Sequence, residues 1–324
     1  MSDDSQSWTQ TIDDLFTTTW SKRRTKATEQ AFLKTPLIFW FRQKGRIENI
    51  AGHTRIEIPL EYGSNETVRW VDKGDTVPIT DATLLTMAYE DWKYVSVSIP
   101  RFWQDDQKNR GEARIISLVD TKLGAAERAL NEEFERILNG DGSGSKEPNG
   151  LQNLISATPT LGTLHGINRV SYDWFRNQQK TSTGSSSLYL ISDMRTTLNN
   201  CLRYSGSELK DIIIMTTQSI FEYYEDECFE MKVLQNTMLA DAGFDTLNFR
   251  GRPMIWGPSA PDGNMYFINP NYIKMICDEA YWMDMTDWKQ IPNQPNDRVA
   301  QIVCVFNVIC SRPICQNVLT GITA

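Results

Sequence analysis

The stretch EARIISLVDTKLGAAERALNEEFERILN, Glu112–Asn139, carries the longest regular pattern in the chain. Ile115, Val119, Leu123, Ala126, Leu130, Phe134 and Ile137 recur at three- and four-residue steps, which places them on one helical stripe. Glu127, Arg128, Glu132, Glu133 and Arg136 are expected off that stripe, and Gly140 supplies the C-terminal stop. At 1.5 Å per residue such a helix runs about 40 Å. It is well above the mean length of about 11 residues, and reads as a spine rather than one layer of a compact core.

Upstream of the spine, Ile56, Ile58 and Leu60 alternate with Arg55, Glu57 and Pro59, the period of a half-buried strand. Tyr62-Gly63-Ser64-Asn65 is turn chemistry. Thr67–Val71 is expected as the returning strand, and Lys73-Gly74-Asp75 turns the chain again. A lone two-stranded hairpin is marginal in water. One that carries Trp70 must lean on another surface, and that surface can belong to another subunit. Residues 84–99 read as one long strand with Leu85, Met87, Tyr89, Trp92, Tyr94, Val95, Val97 and Ile99, ended by Pro100.

Downstream, DGSGSKEPNG (Asp141–Gly150) reads as a flexible linker. The next segment alternates helix and strand signals. Ser187–Arg203 is expected helical, with Leu188, Ile191, Met194, Leu198 and Leu202 on one face, and Thr217–Leu239 is a second helix. Asp211–Met215, Thr246–Ile255 and Asn264–Asn269 read as strands, and Ile273–Ile276 extends an apolar stretch. This is an α+β block with its own core. Gln301–Cys310 is a late apolar strand, expected to return to the sheet of the spine region. Residues 1–35 are polar, with Trp8, Phe16 and Trp20 scattered through them. Large aromatics in an arm that cannot build its own core predict docking onto something else.

Composition sets the boundaries. With 40% hydrophobic and 23% charged residues over 324 positions, the chain is globular and long enough for about two domains. Thirty-three Lys and Arg stand against 41 Asp and Glu, a net charge of -8, which argues against a protein whose main task is gripping nucleic acid. One local basic cluster, Lys22, Arg23, Arg24 and Lys26, can touch phosphate or pair with an acidic neighbour. No segment approaches the ~18–20 apolar residues of a membrane span. The acidic N-terminus lacks a signal-peptide pattern, so a protein without membrane partners, made and kept in a cytoplasm, is expected.

The search for chemistry returns little. Six cysteines contain no Cys-x-x-Cys pair, and there are two histidines, His53 and His165. No zinc cluster, phosphate loop or nucleophile elbow is visible, so no catalytic, cofactor or metal residues are assigned. The cysteines are expected as reduced, packed thiols. His165 is expected in a loop or at a strand edge, making one hydrogen bond. Glu222, Glu225, Asp226, Glu227 and Glu230 read as a solvated helical face.

The order of these elements resembles the major capsid proteins of tailed bacteriophages with the HK97-type fold, over nearly the whole chain. Local phrases carry the resemblance in sequence: GLQNLI (Gly150–Ile155), GINRVSYDWFRNQ (Gly166–Gln178) with its Trp-x-Arg-Asn, KDIIIMTTQSIFEYYE (Lys210–Glu225), and GFDTLNFRGRPMIW (Gly243–Trp256) with its Phe-x-Gly-x-Pro. The resemblance implies an α+β shell-forming fold divided into an N-terminal arm (1–35), an E-loop region (36–80), a P-domain (81–150) with spine helix 112–139, an A-domain (151–289), and a return strand with tail (290–324). It implies an E-loop that reaches a neighbouring subunit through Ile56, Ile58, Leu60, Tyr62, Val68, Trp70 and Lys73, and an arm that does so through Trp8, Phe16 and Trp20. It further implies hexamers and pentamers in an icosahedral head, assembled in the host cytoplasm around double-stranded DNA. A portal, a separate scaffolding protein and a decoration protein are the implied partners. Some relatives form a Lys–Asn crosslink; Lys73 with Asn307 or Asn317 would be the residues, and nothing else in the sequence supports one. Two rival readings are an encapsulin-like nanocompartment shell, which shares the fold, and a soluble α+β hydrolase using the acidic cluster near Glu225.

Overall fold

The computed structural model describes residues 13–22, 36–52, 54–63, 68–76, 85–108, 112–205, 211–229 and 247–323. The first part of the chain forms α1 (13–22), α2 (Pro36–Gln43), β1 (Ile47–Ile50), β2 (Ile56–Glu61), β3 (Leu85–Glu90), β4 (Lys93–Arg101), α3 (Trp103–Lys108) and the spine α4 (Glu112–Leu138). The middle adds α5 (Leu151–Leu154), β5 (Thr163–Leu164), β6 (Ile167–Asn168), β7 (Gln178–Thr181), α6 (Ser186–Ser205), β8 (Ile213–Thr216), α7 (Gln218–Phe229), β9 (Leu247–Phe249), β10 (Arg252–Trp256) and β11 (Met265–Ile268). The last part holds β12 (Ile273–Asp278), β13 (Asp284–Met285), β14 (Lys289–Ile291), β15 (Gln294–Cys310) and β16 (Asn317–Thr320).

Two sheets organise these elements. The 17-residue β15 anchors the first. It pairs with β4 along one edge and with β12, β13 and β14 in succession along the other, and β1 extends the sheet beyond β12. The spine packs here: Phe134 meets Phe306 of β15 edge-on at 5.4 Å and stacks on Trp282 at 5.8 Å. The second sheet runs β7-β16-β11-β8-β10-β9. Helix α6 covers it with Leu190, Met194, Leu198 and Cys201, joined by Ile220, Phe221 and Tyr224 of α7.

The chain crosses between the sheets more often than the sequence implies. Strands β12 and β13 fall within the expected 151–289 block, yet they belong to the β15 sheet. Strand β16 lies in the expected tail, yet it is inserted between β7 and β11 of the other sheet. These pairings join segments far apart in the chain, which a local pattern cannot encode.

Several local expectations change. The one long strand expected over 84–99 is two strands, β3 and β4, broken at Asp91-Trp92, and Pro100 lies within β4 opposite Val299. Proline is tolerated there because, among the described residues, β4 has a neighbour on one side only. The strand expected over 246–255 is instead a hairpin of β9 and β10, turned by Arg250 (φ 52°) and Gly251 (φ 79°). On α6 Leu188 is exposed and Leu190 takes the core position. The expected linker ends in buried Pro148, Asn149 and Gly150, and the Asn149 N–H donates to Asn307 Oδ1 at 3.0 Å. Helix α2, PLIFWFRQ, lies within the expected E-loop region, yet it places Leu37, Ile38, Trp40 and Phe41 in the main core.

The arm aromatics also change role. Phe16 and Trp20 are buried in the chain's own core, where Trp20 Nε1 donates to the Met283 carbonyl at 3.2 Å and Phe16 meets Trp288 edge-on at 5.0 Å. Asp13 clamps the start of α1 between Arg101 and Arg298. Phe16 and Trp20, expected to contact a neighbour, thus find apolar partners within the same chain, at Met283 and Trp288 beside β13 and β14. Trp8 lies outside the described residues.

Candidate interaction surface

The hairpin is made by β2 and β3, not by β2 and residues 67–71. The register runs Ile56↔Glu90, Ile58↔Ala88, Leu60↔Thr86 on one face and Glu57↔Tyr89, Pro59↔Met87, Glu61↔Leu85 on the other. Because side chains alternate across a strand, the two faces part cleanly. Ile56, Ile58, Leu60 and Ala88 are buried against the chain's own core. Ile56, Ile58 and Leu60, expected as contacts to a neighbour, form with Ala88 the row that anchors the hairpin within its own chain.

The other face is open. Leu85, Met87 and Tyr89 stand exposed in a row, beside Pro59. A strand read in isolation places these larger residues inward, but β2 already presents an isoleucine at Ile58, and the small Ala88 fits beneath it. An exposed apolar row flanked by Glu57 and Glu61 has the character of a contact surface. Arg55 lies over the Tyr89 ring at 5.2 Å and pairs with Asp91 at 2.9 Å, closing the base of the row.

The connection between the strands presents Val68, Trp70 and Val71 to solvent, and Trp70 is wholly exposed at 102%. Residues 72–75 form a turn, with the Asp75 N–H donating to the Asp72 carbonyl at 3.1 Å and the Asp72 N–H donating to Asp75 Oδ2 at 2.7 Å. Gly74 sits at φ 99° in that turn, a conformation side chains disfavour. Tyr62 and Lys73 are exposed as well. Thus Val68, Trp70 and Lys73 lie on the free part of the hairpin, Tyr62 is exposed at its base, and Ile56, Ile58 and Leu60 are buried.

At the hairpin's base, His165 joins three elements. Its Nδ1 lies 2.8 Å from Glu90 Oε1, its Nε2 accepts the Cys310 N–H at 2.9 Å, and its carbonyl accepts the Tyr89 N–H at 3.2 Å. A nitrogen that accepts cannot carry the proton, so the neutral ring holds its hydrogen on Nδ1. Burial pushes the His165 pKa down against the pull of Glu90. Burial works against the Glu90 charge too, but the hydrogen bond and charge interaction with His165 and a bond from Asn149 outweigh it, so that carboxyl sits below the ordinary range. His165 lies in the turn between β5 and β6, as the loop reading has it, but it is buried and its ring takes part in two hydrogen bonds rather than one.

Beside the hairpin base lies an open groove of about 530 Å³, walled by Leu60 and Tyr62, by Trp174 and Tyr272, and by Arg312, Pro313 and Ile314. Tyr62 stacks on Trp174 at 5.1 Å, and the Arg312 guanidinium lies over the Tyr272 ring at 5.7 Å.

Other candidate residues do not converge. Glu222, Glu225 and Asp226 are exposed along α7, and Glu230 lies outside the described residues, as does His53. Lys22 is exposed at the end of α1; Arg23, Arg24 and Lys26 lie outside the described residues. Asn307 and Asn317 are fully buried, with side-chain amides donating to the Asp91 and Thr197 carbonyls, so neither is presented for a crosslink to Lys73. Cys201, Cys277, Cys304, Cys310 and Cys315 are buried, and burial pushes the Cys310 thiol up to about 12. Among the described residues no group of three or more His, Cys, Asp or Glu is placed to hold a metal ion, and no helix is long and apolar enough to cross a membrane.

No protein-family model matches the chain, and no curated protein matches it. Solved structures do. The cyanophage A-1(L) capsid asymmetric unit is similar with a TM-score of 0.64 and 14% identity, covering 86% of this chain and 91% of that one. The capsid of the native GTA particle is similar with a TM-score of 0.59 and 11% identity over 87% and 90% of the two chains. The holo-SrpI encapsulin complex from Synechococcus elongatus PCC 7942 is similar with a TM-score of 0.51 and 9% identity over 86% and 85%. At these identities the likeness is one of fold: the chain has the α+β, HK97-like fold that capsid and encapsulin shells share.

Proposed function

We propose that this protein is a shell-forming structural protein, the major capsid protein of a tailed phage, assembling as hexamers and pentamers into an icosahedral head around double-stranded DNA. The observation that carries the reading is the hairpin. One face is committed to the chain's own core, while the Leu85-Met87-Tyr89 row and the Trp70 tip are open to solvent. Such a surface on a soluble chain calls for a partner. The fold, shared with phage capsids over most of the chain, makes another copy the natural partner. A net charge of -8 suits a wall that encloses DNA without gripping it. Under this reading the protein resides in the virion after assembly in the host cytoplasm, and a portal, a separate scaffolding protein, a decoration protein and packaged DNA are its further partners. The role is structural rather than enzymatic.

The likeness to an encapsulin supports a second reading, a small shell around a protein cargo. Electron microscopy of the native particle separates the two. A large icosahedral particle containing DNA is expected; a small shell holding protein establishes the second reading, and a discrete monomer or small oligomer overturns both. Replacing residues 64–76 by a short Gly-Ser linker is expected to leave a folded, soluble protein that forms no stable shells.

A further inference from the structure

We propose that the groove between the hairpin base and Tyr272 is the receptor for the hairpin tip of a second copy, with Trp70 seated among its aromatic residues. This rests on the shell reading and names the surface that meets the tip. Trp70 is the most exposed large apolar side chain among the described residues, and indole is the side chain most favoured in buried interface pockets. The groove, at about 530 Å³, has the size of a site that encloses a bulky group. Tyr62, Trp174 and Tyr272 offer ring faces and edges for stacking.

Charge complements shape. Arg312 is exposed at the groove wall and forms no ion pair among the described residues. The tip carries Asp72 and Asp75 just beyond Trp70, held together by their turn. Glu61, exposed and also lining the groove, is a charge match for exposed Arg69 of the tip. The occupant is a second copy because Trp70 of the same chain stays wholly in solvent although its loop leaves from the groove's own wall at Tyr62-Gly63. Tip into groove is a heterologous, head-to-tail contact, and such contacts close into rings when the rotation permits.

The test places the photo-crosslinker p-benzoylphenylalanine at position 70 and co-assembles that unlabelled chain with ¹⁵N-labelled unmodified protein. After irradiation, mass spectrometry is expected to join position 70 of an unlabelled chain to a labelled peptide containing Trp174 or residues 311–314. Adducts elsewhere on the labelled chain overturn the groove assignment and leave the shell reading standing. Adducts confined to one chain overturn occupancy by a second copy. If the position-70 variant forms no particles, the crosslinker is placed at Ile314 instead; adducts to residues 68–72 of another copy support the proposal, and their absence overturns it. Failure of unmodified protein to form particles overturns the shell reading and the proposal together.

Discussion

Glu90 Oε1 stands 2.8 Å from His165 Nδ1, and the same ring accepts the Cys310 N–H through Nε2, so one buried imidazole bolts the exposed hairpin to the end of β15. His165 holds φ 51°, and its neighbour Gly166 has φ 76° with Tyr89 ring atoms 2.8 Å from where a Cβ would lie. The bend that brings the imidazole in thus needs both an unusual backbone and a glycine.

Replacing His165 by Ala leaves the Cys310 N–H buried without its acceptor. A loss of about 1–3 kcal/mol in unfolding free energy is expected, with faster amide exchange at Tyr89 and Cys310. The pH dependence has a definite sign. A base with its pKa lowered from 6.5 by burial binds fewer protons in the folded chain than in the unfolded one. Stability from this site is present above about pH 6.5 and lost as pH falls below it. Urea titrations at pH 5.5 and 7.5 check this: the difference between the two pH values shrinks in the Ala variant.

Glu135 on the spine behaves in the opposite sense. Burial pushes its carboxyl from the ordinary 4.5 up to about 7, only partly offset by the Asn139 amide, and its Oε2 has no partner among the described residues. The folded chain therefore holds a proton that the unfolded chain releases. Stability from this site is complete below about pH 4.5 and is lost as pH rises through about 7. Glu135→Gln, which cannot ionise, is expected to be more stable than the parent above pH 7.5, by up to about 3 kcal/mol, and to converge with it near pH 5. Thermal melts of both proteins across that range are the measurement.

Gly150 is required by contact rather than by dihedral freedom. A Cβ there would lie 2.2 Å from the Gly140 carbonyl oxygen and 2.6 Å from that of Ile137. Both are backbone atoms at the end of the spine, so they cannot swing aside. Gly150→Ala is expected to cost about 1–3 kcal/mol by overpacking, read as a lower urea midpoint with an unchanged slope.

Asp13 ties the arm to the first sheet through Arg101, whose side chain is 4% exposed, and Arg298, which is 33% exposed. Asp13→Asn takes the carboxylate from a buried guanidinium, and removing one partner of a buried pair costs about 3 kcal/mol or more; the exposure of Arg298 keeps the expected loss near that lower figure. Faster exchange is expected across residues 13–22, with a red-shifted tryptophan emission as Trp20 meets water.

The spine was readable because its signal is local. Val119, Leu123, Ala126, Leu130, Phe134 and Ile137 are buried on the stripe their spacing implies. The same pattern still hid Glu127 and Glu135, which are buried beside Asn131 and Asn139 at four-residue steps along one edge of the helix. Charge alone suggested solvent for Glu127, and only the packing around it shows otherwise.

The hairpin marks the boundary between the two kinds of information. Alternation at Ile56, Ile58 and Leu60 and again at Leu85, Met87 and Tyr89 is written in the sequence, and it correctly marks both as strands. Nothing in that alternation says which strand pairs with which, or which row turns inward. Residues 67–71 alternate equally well, yet β2 pairs with β3, and that register puts Ala88 under Ile58 and turns Leu85, Met87 and Tyr89 outward. The aromatics of the arm teach the same lesson: Trp20 meets Met283 across 263 positions of chain. Periodicity follows from the geometry of one backbone segment, so the order of residues encodes it. Choice of partner and of buried face depends on which distant surfaces meet, and that emerges only when the whole chain is packed.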